Sequence, residues 1–372
     1  MEYGTTNIQN LHYGLIHVGL PTMVDIDKDN LPNIIDGNVP KNYELCKEGD
    51  IVFADASEDT NEVAKAVEYY NLNGKKVVCG LHTIHGRDNK NKTVVGYKGY
   101  AFSSMSFHHQ IRRIAQGTKI YSINSKNFSE CYVGIPSKDE QQKIADLLRL
   151  IDERIATQNK IIEDLKKLKS AIIENVFDDK HSERLQLDNV GSYIRGLTYS
   201  SNDVVEHGGT LVMRSNNIVN GSLLDYNNNV VFVNKQMSAE QQLQNGDVVI
   251  CMANGSSSLV GKSSFYDGSC HSPITVGAFC GIYRSKEPIV KWLFQTNKYR
   301  RYIWNSLQGG NGAIANLNGE DILNMSFSIP NATIKDTCVK MLTSVDSALE
   351  NNMSLCALYT LQKQHLLRLM FI

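Results

Sequence analysis

The stretch of sequence with the most suggestive chemistry is residues 255–263, a glycine-flanked loop that ends in Lys262 and Ser263. A nucleotide-binding loop of this type cradles phosphates on its backbone N–H groups, but it needs four residues between its two glycines. Here five residues separate Gly255 from Gly261. The residues that follow favour a strand and a turn, so no helix N-terminus would face the phosphates. The sequence therefore disfavours a nucleotide site.

Other catalytic and metal-binding patterns are also missing from the sequence. The eight cysteines are scattered without a C-x-x-C pair, which favours reduced, mostly buried thiols. The histidine pairs His82/His85 and His108/His109 complete none of the usual zinc-ligand patterns of paired cysteines and histidines, so we expect no metal site. There is no G-x-G-x-x-G, H-E-x-x-H or G-x-S-x-G motif, and no Asn/Asp-Pro-Pro-aromatic run of the type that holds a target amine in amino-methyltransferases. These features favour a binding protein over an enzyme.

Length and composition describe an ordinary multidomain protein. The 372 residues allow two or three domains, and the net charge of −1 excludes a polycation. No apolar run approaches the length of a membrane span, and the first residues do not resemble a signal peptide. We therefore expect a cytoplasmic protein that does not associate with membranes.

The sequence repeats itself with an offset of 194 residues. In each copy an Ile-Pro pair opens a long helical pattern that ends in a phenylalanine. A repeat of this length is a duplicated domain-plus-helix module and not a solenoid unit. The matching positions are Ile135 with Ile329, Asp152 with Asp346, Ile155 with Leu349 and Phe177 with Phe371.

Basic residues are concentrated at the same place in both copies. Between Asp88 and Glu130 there is no acidic residue, and between Asp267 and Glu320 the only acid is Glu287. A single acid-poor segment could be an ordinary solvated face. Two such segments at matching positions of the repeat are less easily explained in that way, and they suggest contact with phosphates. The basic residues are Lys90, Lys92, Lys98, Arg112, Arg113, Lys119 and Lys126 in the first copy, and Arg284, Lys286, Lys291, Lys298, Arg300 and Arg301 in the second.

The pattern of elements predicts an α+β protein with two globular domains, 1–133 and 181–327, and two long helical segments, 134–180 and 328–372. Short strands broken by turns are expected in both domains, together with a helix over 292–307. The predicted strands are 15–18, 50–54, 75–79, 94–97 and 118–123 in the first domain, and 210–214, 229–233, 247–252, 263–266 and 275–283 in the second.

Both long segments carry a heptad pattern of apolar residues, and neither proline nor glycine interrupts the first. A helix of about 40 residues spans about 60 Å. Sustained heptads favour helix pairing, antiparallel here because a domain connects the end of one helix to the start of the other. The alternative is that each helix packs separately against its own domain. The predicted interface residues are Ile144, Leu148, Ile151, Ile155, Ile162, Leu165, Leu349 and Met353.

The first helical segment resembles the central conserved helix of type I restriction–modification specificity (S) subunits. The resemblance lies in the opening Ile135-Pro136-Ser137-Lys138-Asp139-Glu140-Gln141-Gln142-Lys143-Ile144, in the step Ile151-Asp152-Glu153-Arg154-Ile155 and in Lys166-Lys167-Leu168-Lys169. The order of domain, helix, domain and helix also matches that family. Two departures are visible. The opening element at 187–191 has no counterpart in the first half, whose N-terminal element is therefore expected to be missing, and 333–336 lacks the Glu-Gln opening.

The resemblance implies a subunit that reads double-stranded DNA and has no catalytic activity. Each target-recognition domain would read one half of a bipartite site, and the paired helices would act as a coiled-coil spacer that fixes the gap. The partners would be methylation subunits, which bind S-adenosylmethionine and methylate adenine, and restriction subunits, which use ATP and Mg²⁺ for cleavage. The chain itself would bind no cofactor and no metal.

A protein that reads DNA makes two kinds of contact, and each suggests candidate residues. Phosphate contacts set the register of the protein on the duplex, and loop side chains read base edges. Two alternatives remain open: a paired-helix scaffold whose domains bind proteins, and a single-chain nuclease or methyltransferase, which the missing motifs disfavour. The phosphate candidates are Lys98, Arg112, Arg113, Lys119, Lys126, Lys298, Arg300 and Arg301. The base-reading candidates are Arg214, Asn216, Asn217, Ser257, Lys262 and Asn311.

Overall fold

The computed structural model describes residues 4, 6–35, 37–39, 41–177, 183–307 and 315–371. The chain divides into two compact units. The first unit comprises Met1–Lys160 and Met353–Ile372, and the second comprises Ile161–Asn352. Each unit therefore contains one mixed domain and one part of each long helix. Within the described residues, no helix combines the length and apolar character that crossing a membrane requires.

The first unit begins with a small mixed domain. Strands β2, β5, β3 and β7 form a four-stranded sheet in that order, β1 pairs with β6 in parallel, and β4 pairs with β8. The elements in chain order are β1 (Ile8–Leu11), α1 (Tyr13–Val18), β2 (Met23–Asp25), β3 (Ile51–Ala54), β4 (Ala56–Ser57), β5 (Ala66–Asn71), β6 (Lys76–Cys79), β7 (Thr83–Gly86), α2 (Tyr97–Phe102), α3 (Met105–Ile114), β8 (Tyr121–Ser122), α4 (Ser125–Phe128) and the long helix α5 (Lys138–Val176).

The domain of the second unit contains two four-stranded sheets, ordered β10-β18-β14-β16 and β11-β13-β12-β17. Its elements are β9 (Glu183–Gln186), α6 (Leu187–Val190), β10 (Gly191–Arg195), β11 (Val204–Val205), β12 (Thr210–Met213), β13 (Val231–Val233), β14 (Val248–Cys251), β15 (Ala253–Asn254), β16 (Ser263–Phe265), β17 (Ile274–Val276), β18 (Cys280–Ser285), α7 (Val290–Leu293), α8 (Asn297–Leu307), β19 (Ala315–Asn316), α9 (Gly319–Leu323), β20 (Ser326–Ile329) and the long helix α10 (Ala332–Met370).

The two domains are copies of one plan. The strands β5-β3-β7 of the first correspond to β16-β14-β18 of the second, and both copies have a parallel pair, β1 with β6 and β12 with β17. One difference between the copies lies at the outer edge of β7 and β18. In the second domain β10 pairs with β18, whereas no strand among the described residues of the first domain pairs with the outer edge of β7.

Several sequence predictions of secondary structure were wrong. Residues 15–18 lie in helix α1, whose N-terminus is capped by the His12 side chain accepting from Gly14 N. Residues 94–97 lead into helix α2 because the buried Glu68 carboxylate accepts hydrogen bonds from Gly96 N at 3.0 Å and Gly99 N at 2.8 Å. The helix predicted over 292–307 is two helices, and Thr296 between them accepts at its hydroxyl from Tyr299 N.

The long helices form where the sequence predicted them. Neither contains proline or glycine, and polar side chains cap their first turns, Ser137 at α5 and Asn331 at α10. In the first unit the order of contacts is antiparallel, because Asp152 meets Lys363 while Asn159 meets Cys356. The α+β class with two domains and long paired helices is confirmed.

Candidate nucleic-acid interface

An aspartate on each long helix joins that helix to its domain. In the first unit, Asp152 accepts from the Tyr100 hydroxyl at 2.9 Å and pairs with Lys363 at 2.6 Å. In the second unit, Asp346 accepts from Trp292 Nε1 at 3.0 Å and pairs with Lys169 at 2.7 Å. The aspartates differ by 194 positions, and so do the lysines. The duplication therefore extends to the ion pairs between the two long helices.

The ion pair in the second unit is deeply buried. The Lys169 ammonium also donates to the Gly221 carbonyl at 2.7 Å, and Lys291 lies 3.3 Å from Asp346. Burial lowers the pKa of Lys169, and the neighbouring Asp346 carboxylate opposes that shift. The side chains of Lys169 and Asp346 are only 8% and 6% exposed, so removal of the Asp346 carboxylate would leave Lys169 as a buried cation without its counterion.

Most residues of the predicted helix interface are buried or partly buried. Leu148, Ile151 and Ile162 are buried, and Leu148 packs in one cluster with Leu367 and Phe371. Leu349 is also buried, and Ile144, Ile155 and Leu165 are partly buried. Met353 is 41% exposed, so its assignment to the interface was wrong. The preceding residue, Asn352, is partly buried and bonds through its amide to the Ala348 carbonyl of the same helix.

Four of the five phosphate candidates of the first domain lie on α3, α4 and the loop between them. Arg113 lies in the last turn of helix α3 with an exposed side chain, and Arg112 donates to Asn61 at 2.9 Å. Lys119 is exposed in a tight loop closed by two backbone hydrogen bonds between Gln116 and Ser122. Lys126 is exposed on α4. These side chains are accessible to anions in solution.

Lys98 is a correction to the predicted phosphate contacts. Its ammonium lies 3.1 Å from Glu68 and donates to the Thr93 hydroxyl at 2.9 Å, and its side chain is 10% exposed. Burial raises the pKa of Glu68, and the charge of Lys98 opposes that shift. Lys98 therefore neutralises the carboxylate that caps α2 and does not present its charge at the surface.

The three phosphate candidates of the second domain lie on α8. Arg300 and Arg301 are exposed, and Lys298 is partly exposed. The predicted base-reading residue Asn311 lies outside the described residues. Its place in the repeat corresponds to Gly117, in the loop that carries Lys119.

The other predicted base-reading residues lie on two loops of the second domain. Asn254 connects the loops by donating to the Ser215 hydroxyl at 3.4 Å. Arg214 and Asn216 are exposed on one loop, Ser257 is exposed on the other, and Lys262 is partly exposed.

Asn217 is a second correction, because it is buried inside its loop. Its amide donates to the carbonyls of Asp225 and Asn228, at 3.0 and 2.7 Å, and its side-chain oxygen accepts from Arg214 N at 2.9 Å. With these bonds made, Asn217 shapes the loop and is not available for base edges.

The corresponding loops of the first domain carry residues that the sequence did not single out. His17 Nε2 donates to the Ala56 carbonyl at 3.0 Å, which joins the segment after β1 to strand β4. Tyr13 packs edge-on against His82 with ring centroids 5.2 Å apart, and both residues are exposed. The signal in the sequence was weak, since Tyr13 and His82 are far apart in the chain and match no motif.

Comparisons with known proteins agree with this architecture. The family model of the type I restriction modification DNA specificity domain matches residues 29–167. The specificity subunit of the type I restriction enzyme EcoKI from Escherichia coli (strain K12) is 34% identical over 155 residues, which are 39% of this chain. The specificity subunit of the StySPI enzyme from Salmonella potsdam is 33% identical over 153 residues, again 39% of this chain. Each match spans only 31% of the length of the curated relative.

Solved structures extend the likeness of fold to almost the whole chain. The S subunit of a type I restriction–modification system from M. genitalium superimposes with a TM-score of 0.58 at 16% identity, covering 99% of this chain and 92% of that one. A chain from a study of complex assembly and conformational transition of the type I R-M system gives a TM-score of 0.52 at 14% identity, covering 96% and 90%.

The fold defines a protein with two duplicated domains and a pair of long antiparallel helices. The comparisons show that about two fifths of this chain is similar to type I restriction enzyme specificity subunits and that residues 29–167 match the type I restriction modification DNA specificity domain.

Proposed function

We propose that this chain is the DNA-recognition subunit of a type I restriction–modification complex and has no catalytic activity of its own. The observation that carries the proposal is the duplication of the whole module, down to the pairs Asp152–Lys363 and Asp346–Lys169. Two equivalent domains suit a target with two half-sites. The specificity domain matched over residues 29–167 supports DNA as the ligand.

Phosphate contact in this proposal is made by exposed cations of both domains. Arg113, Lys119 and Lys126 would hold the first half-site, and Arg300 and Arg301 would hold the second. Such contacts fix the position of the protein on the duplex without reading its sequence. Base edges would be read by the loops that carry Arg214, Asn216 and Ser257 in the second domain, and by the corresponding loops of the first domain.

The long helices would act as the spacer that sets the distance between the half-sites. Their uninterrupted sequences and their mutual packing at Leu148 and Leu367 support this role. The partners would be methylation subunits, which carry S-adenosylmethionine and methylate adenine, and restriction subunits, which use ATP and Mg²⁺ to cleave. Such a complex would work in the cytoplasm, where the cellular DNA is.

The test of this proposal is the salt dependence of binding to duplex DNA. Each phosphate neutralised by a cation releases counterions, so the logarithm of the binding constant should fall steeply and linearly with the logarithm of salt concentration. The double variant Arg300→Ala/Arg301→Ala should reduce the slope by about 1 for each phosphate that is no longer neutralised. Lys166→Ala, an exposed lysine of α5 outside the basic segments, is the matched control and should leave the slope unchanged.

The competing proposal, a protein-binding scaffold, predicts a different result. A surface that binds protein through apolar helix faces would give little or no DNA binding at low salt. Absence of duplex binding by the intact chain together with its methylation partners would contradict the DNA-recognition proposal.

A further inference from the structure

The domain of the first unit contains two thiols and an imidazole that the DNA-recognition proposal does not use. Cys46 is buried, while Cys79 at the end of β6 and His85 in β7 are partly exposed. The Cys46 and Cys79 sulfur atoms lie 3.6 Å apart. Each of the three residues offers one potential ligand atom, and these atoms all lie within 4.8 Å of one another. Residues from three separate segments therefore meet at one point.

The spacing of these atoms fits a tetrahedral zinc ion. Zinc–sulfur bonds of about 2.3 Å in a tetrahedron place two thiolate sulfurs about 3.8 Å apart. The observed separation of Cys46 and Cys79 is 3.6 Å, so the two sulfurs need move very little to share an ion. A disulfide would require the same atoms to approach to about 2.05 Å.

The imidazole is held in the way that a metal-binding histidine usually is. His85 Nε2 lies 2.9 Å from the Asp50 carboxylate, which is itself held by Arg87 at 2.6 Å. A carboxylate on one ring nitrogen fixes the tautomer and leaves the other nitrogen free to bind a metal ion. The exposed Glu44 carboxylate lies 3.8 Å from His85 Nδ1, at a place from which it could complete the coordination.

The second domain has a structurally equivalent position for each of these three residues. Cys46 N donates to the Val77 carbonyl at 2.8 Å, and the equivalent Leu243 N donates to the Ile274 carbonyl at 2.9 Å. His85 faces Val52 across the strand pair, as Ile282 faces Val249. Cys79 is the last residue of β6 in the parallel pair β1–β6, and Val276 is the last residue of β17 in the equivalent pair β12–β17.

In the second domain these three places are filled by Leu243, Val276 and Ile282, all buried in one apolar cluster. The arginine–aspartate pair is present in both copies, since Arg284 contacts Asp247 at 2.6 Å. The scaffold is thus common to both domains, and the first domain carries two thiols and an imidazole where the second carries aliphatic side chains.

A further polar group at the site supports a role beyond packing. Tyr69 is fully buried, and its hydroxyl adjoins the Cys46 thiol. The equivalent Tyr266 hydroxyl accepts from Cys270 N at 3.2 Å. A Cys46 thiolate held by a metal ion would accept a hydrogen bond from the Tyr69 hydroxyl.

We propose that Cys46, Cys79 and His85 bind one zinc ion in the first domain, with water or Glu44 as the fourth ligand. The thiols bind as thiolates and release their protons to solvent, so binding weakens as the pH falls. The ion would link the segment before β3 to β6 and β7, which is a structural role. This proposal replaces the expectation, drawn from sequence spacing alone, that the chain binds no metal.

Binding of Zn²⁺ and Co²⁺ to the purified, reduced full-length chain tests the proposal. We expect one zinc per chain, and with Co²⁺ the visible absorption and thiolate charge-transfer bands of a tetrahedral site. The decisive variant is Cys46→Leu/Cys79→Val/His85→Ile, because it installs the residues that the second domain uses and so preserves packing. It should bind no cobalt while keeping its secondary structure. Asp50→Asn should weaken cobalt binding about 10- to 100-fold by releasing the imidazole.

The matched control is Cys131→Ala/Cys356→Ala, which removes two partly exposed thiols outside the cluster and should leave the stoichiometry and spectrum unchanged. Absence of metal from the reduced wild-type chain, or equal binding by the triple variant, would overturn the proposal. The proposal would also be overturned if the oxidised protein contains a Cys46–Cys79 disulfide and the reduced protein binds no metal. The two cysteines would then be a pair that forms a disulfide and not a metal site. The measurement uses no DNA, so its outcome is independent of the DNA-recognition proposal.

Discussion

At the scale of single residues, charge alone is a poor guide to function in this chain. Lys98 and Arg113 both lie in the acid-poor segment of the first domain. Lys98 is buried against Glu68, whereas Arg113 is exposed near the end of α3. The sequence could not separate them, because Glu68 lies far before Lys98 in the chain and only the fold brings the two together.

Substitutions of Arg113 and Lys98 should have opposite effects on DNA binding and on thermal stability. Arg113→Ala should weaken DNA binding and lower its salt slope by about 1 while leaving the melting temperature unchanged, because the variant removes an exposed cation that neutralises a phosphate. Lys98→Met should lower the melting temperature, because Glu68 is left buried without its counterion. Its salt slope should match that of the wild type. A lower salt slope in Lys98→Met, measured where the variant is folded, would restore Lys98 to the DNA interface.

The duplicated aspartates allow a matched comparison of burial. Asp346→Asn should destabilise the second unit by about 3 kcal/mol or more, because Lys169 is left as an unpaired buried cation. Asp152→Asn should cost less, because the Asp152 side chain is 27% exposed where that of Asp346 is 6% exposed. Chemical denaturation of the two variants checks the order. Equal destabilisation would mean that burial does not set the strength of these contacts.

At the scale of elements, the long helices were the most predictable part of the fold. Their apolar spacing and lack of proline and glycine indicated both length and pairing. The errors have a local cause. A search for apolar residues selected Met353 for the seam, whereas the helix turns Asn352 inward and Met353 toward solvent. Leu361 is likewise an apolar residue of α10, and it is 60% exposed.

The short elements were harder to predict because distant residues decide them. Helix α2 forms where a strand was predicted, since its first N–H groups are satisfied by Glu68 from strand β5. The strand predicted over 275–283 is two strands, β17 and β18, in different sheets. Periodicity over a few residues carries no information about such partners.

The spacer role of the helices predicts a change in the target when their length changes. A heptad adds about 10 Å to a helix, which corresponds to about three base pairs at about 3.4 Å each. Seven residues should be inserted in both helices, after Lys160 in α5 and after Asn352 in α10, so that the antiparallel register is kept. The methylated motif should then keep both half-sequences and gain a longer gap. An insertion in α5 alone is the control, and it should impair pairing.

An unchanged gap in the doubly extended variant would contradict the spacer role. The half-sequences themselves serve as the internal check, since their disappearance would indicate damaged domains and not a changed distance.

At the scale of the whole molecule, the sequence revealed the duplication but not what distinguishes the two copies. The offset of 194 residues, the basic segments and the long helices are all visible in the sequence alone. The cluster of Cys46, Cys79 and His85 is not, because its members match no ligand spacing and only strand pairing brings them together. Comparison of one domain with the other then shows that these positions are apolar in the second copy.

The proposed role of the whole chain is to direct a methylation complex to a target with two half-sites. Single-molecule sequencing of host DNA with and without the gene tests this role, because it maps methyladenine across the genome. We predict that deletion removes one motif made of two half-sequences separated by a fixed gap, and that the intact gene restores it. An unchanged methylation map, in cells that express the chain and its methylation partners, would contradict the role.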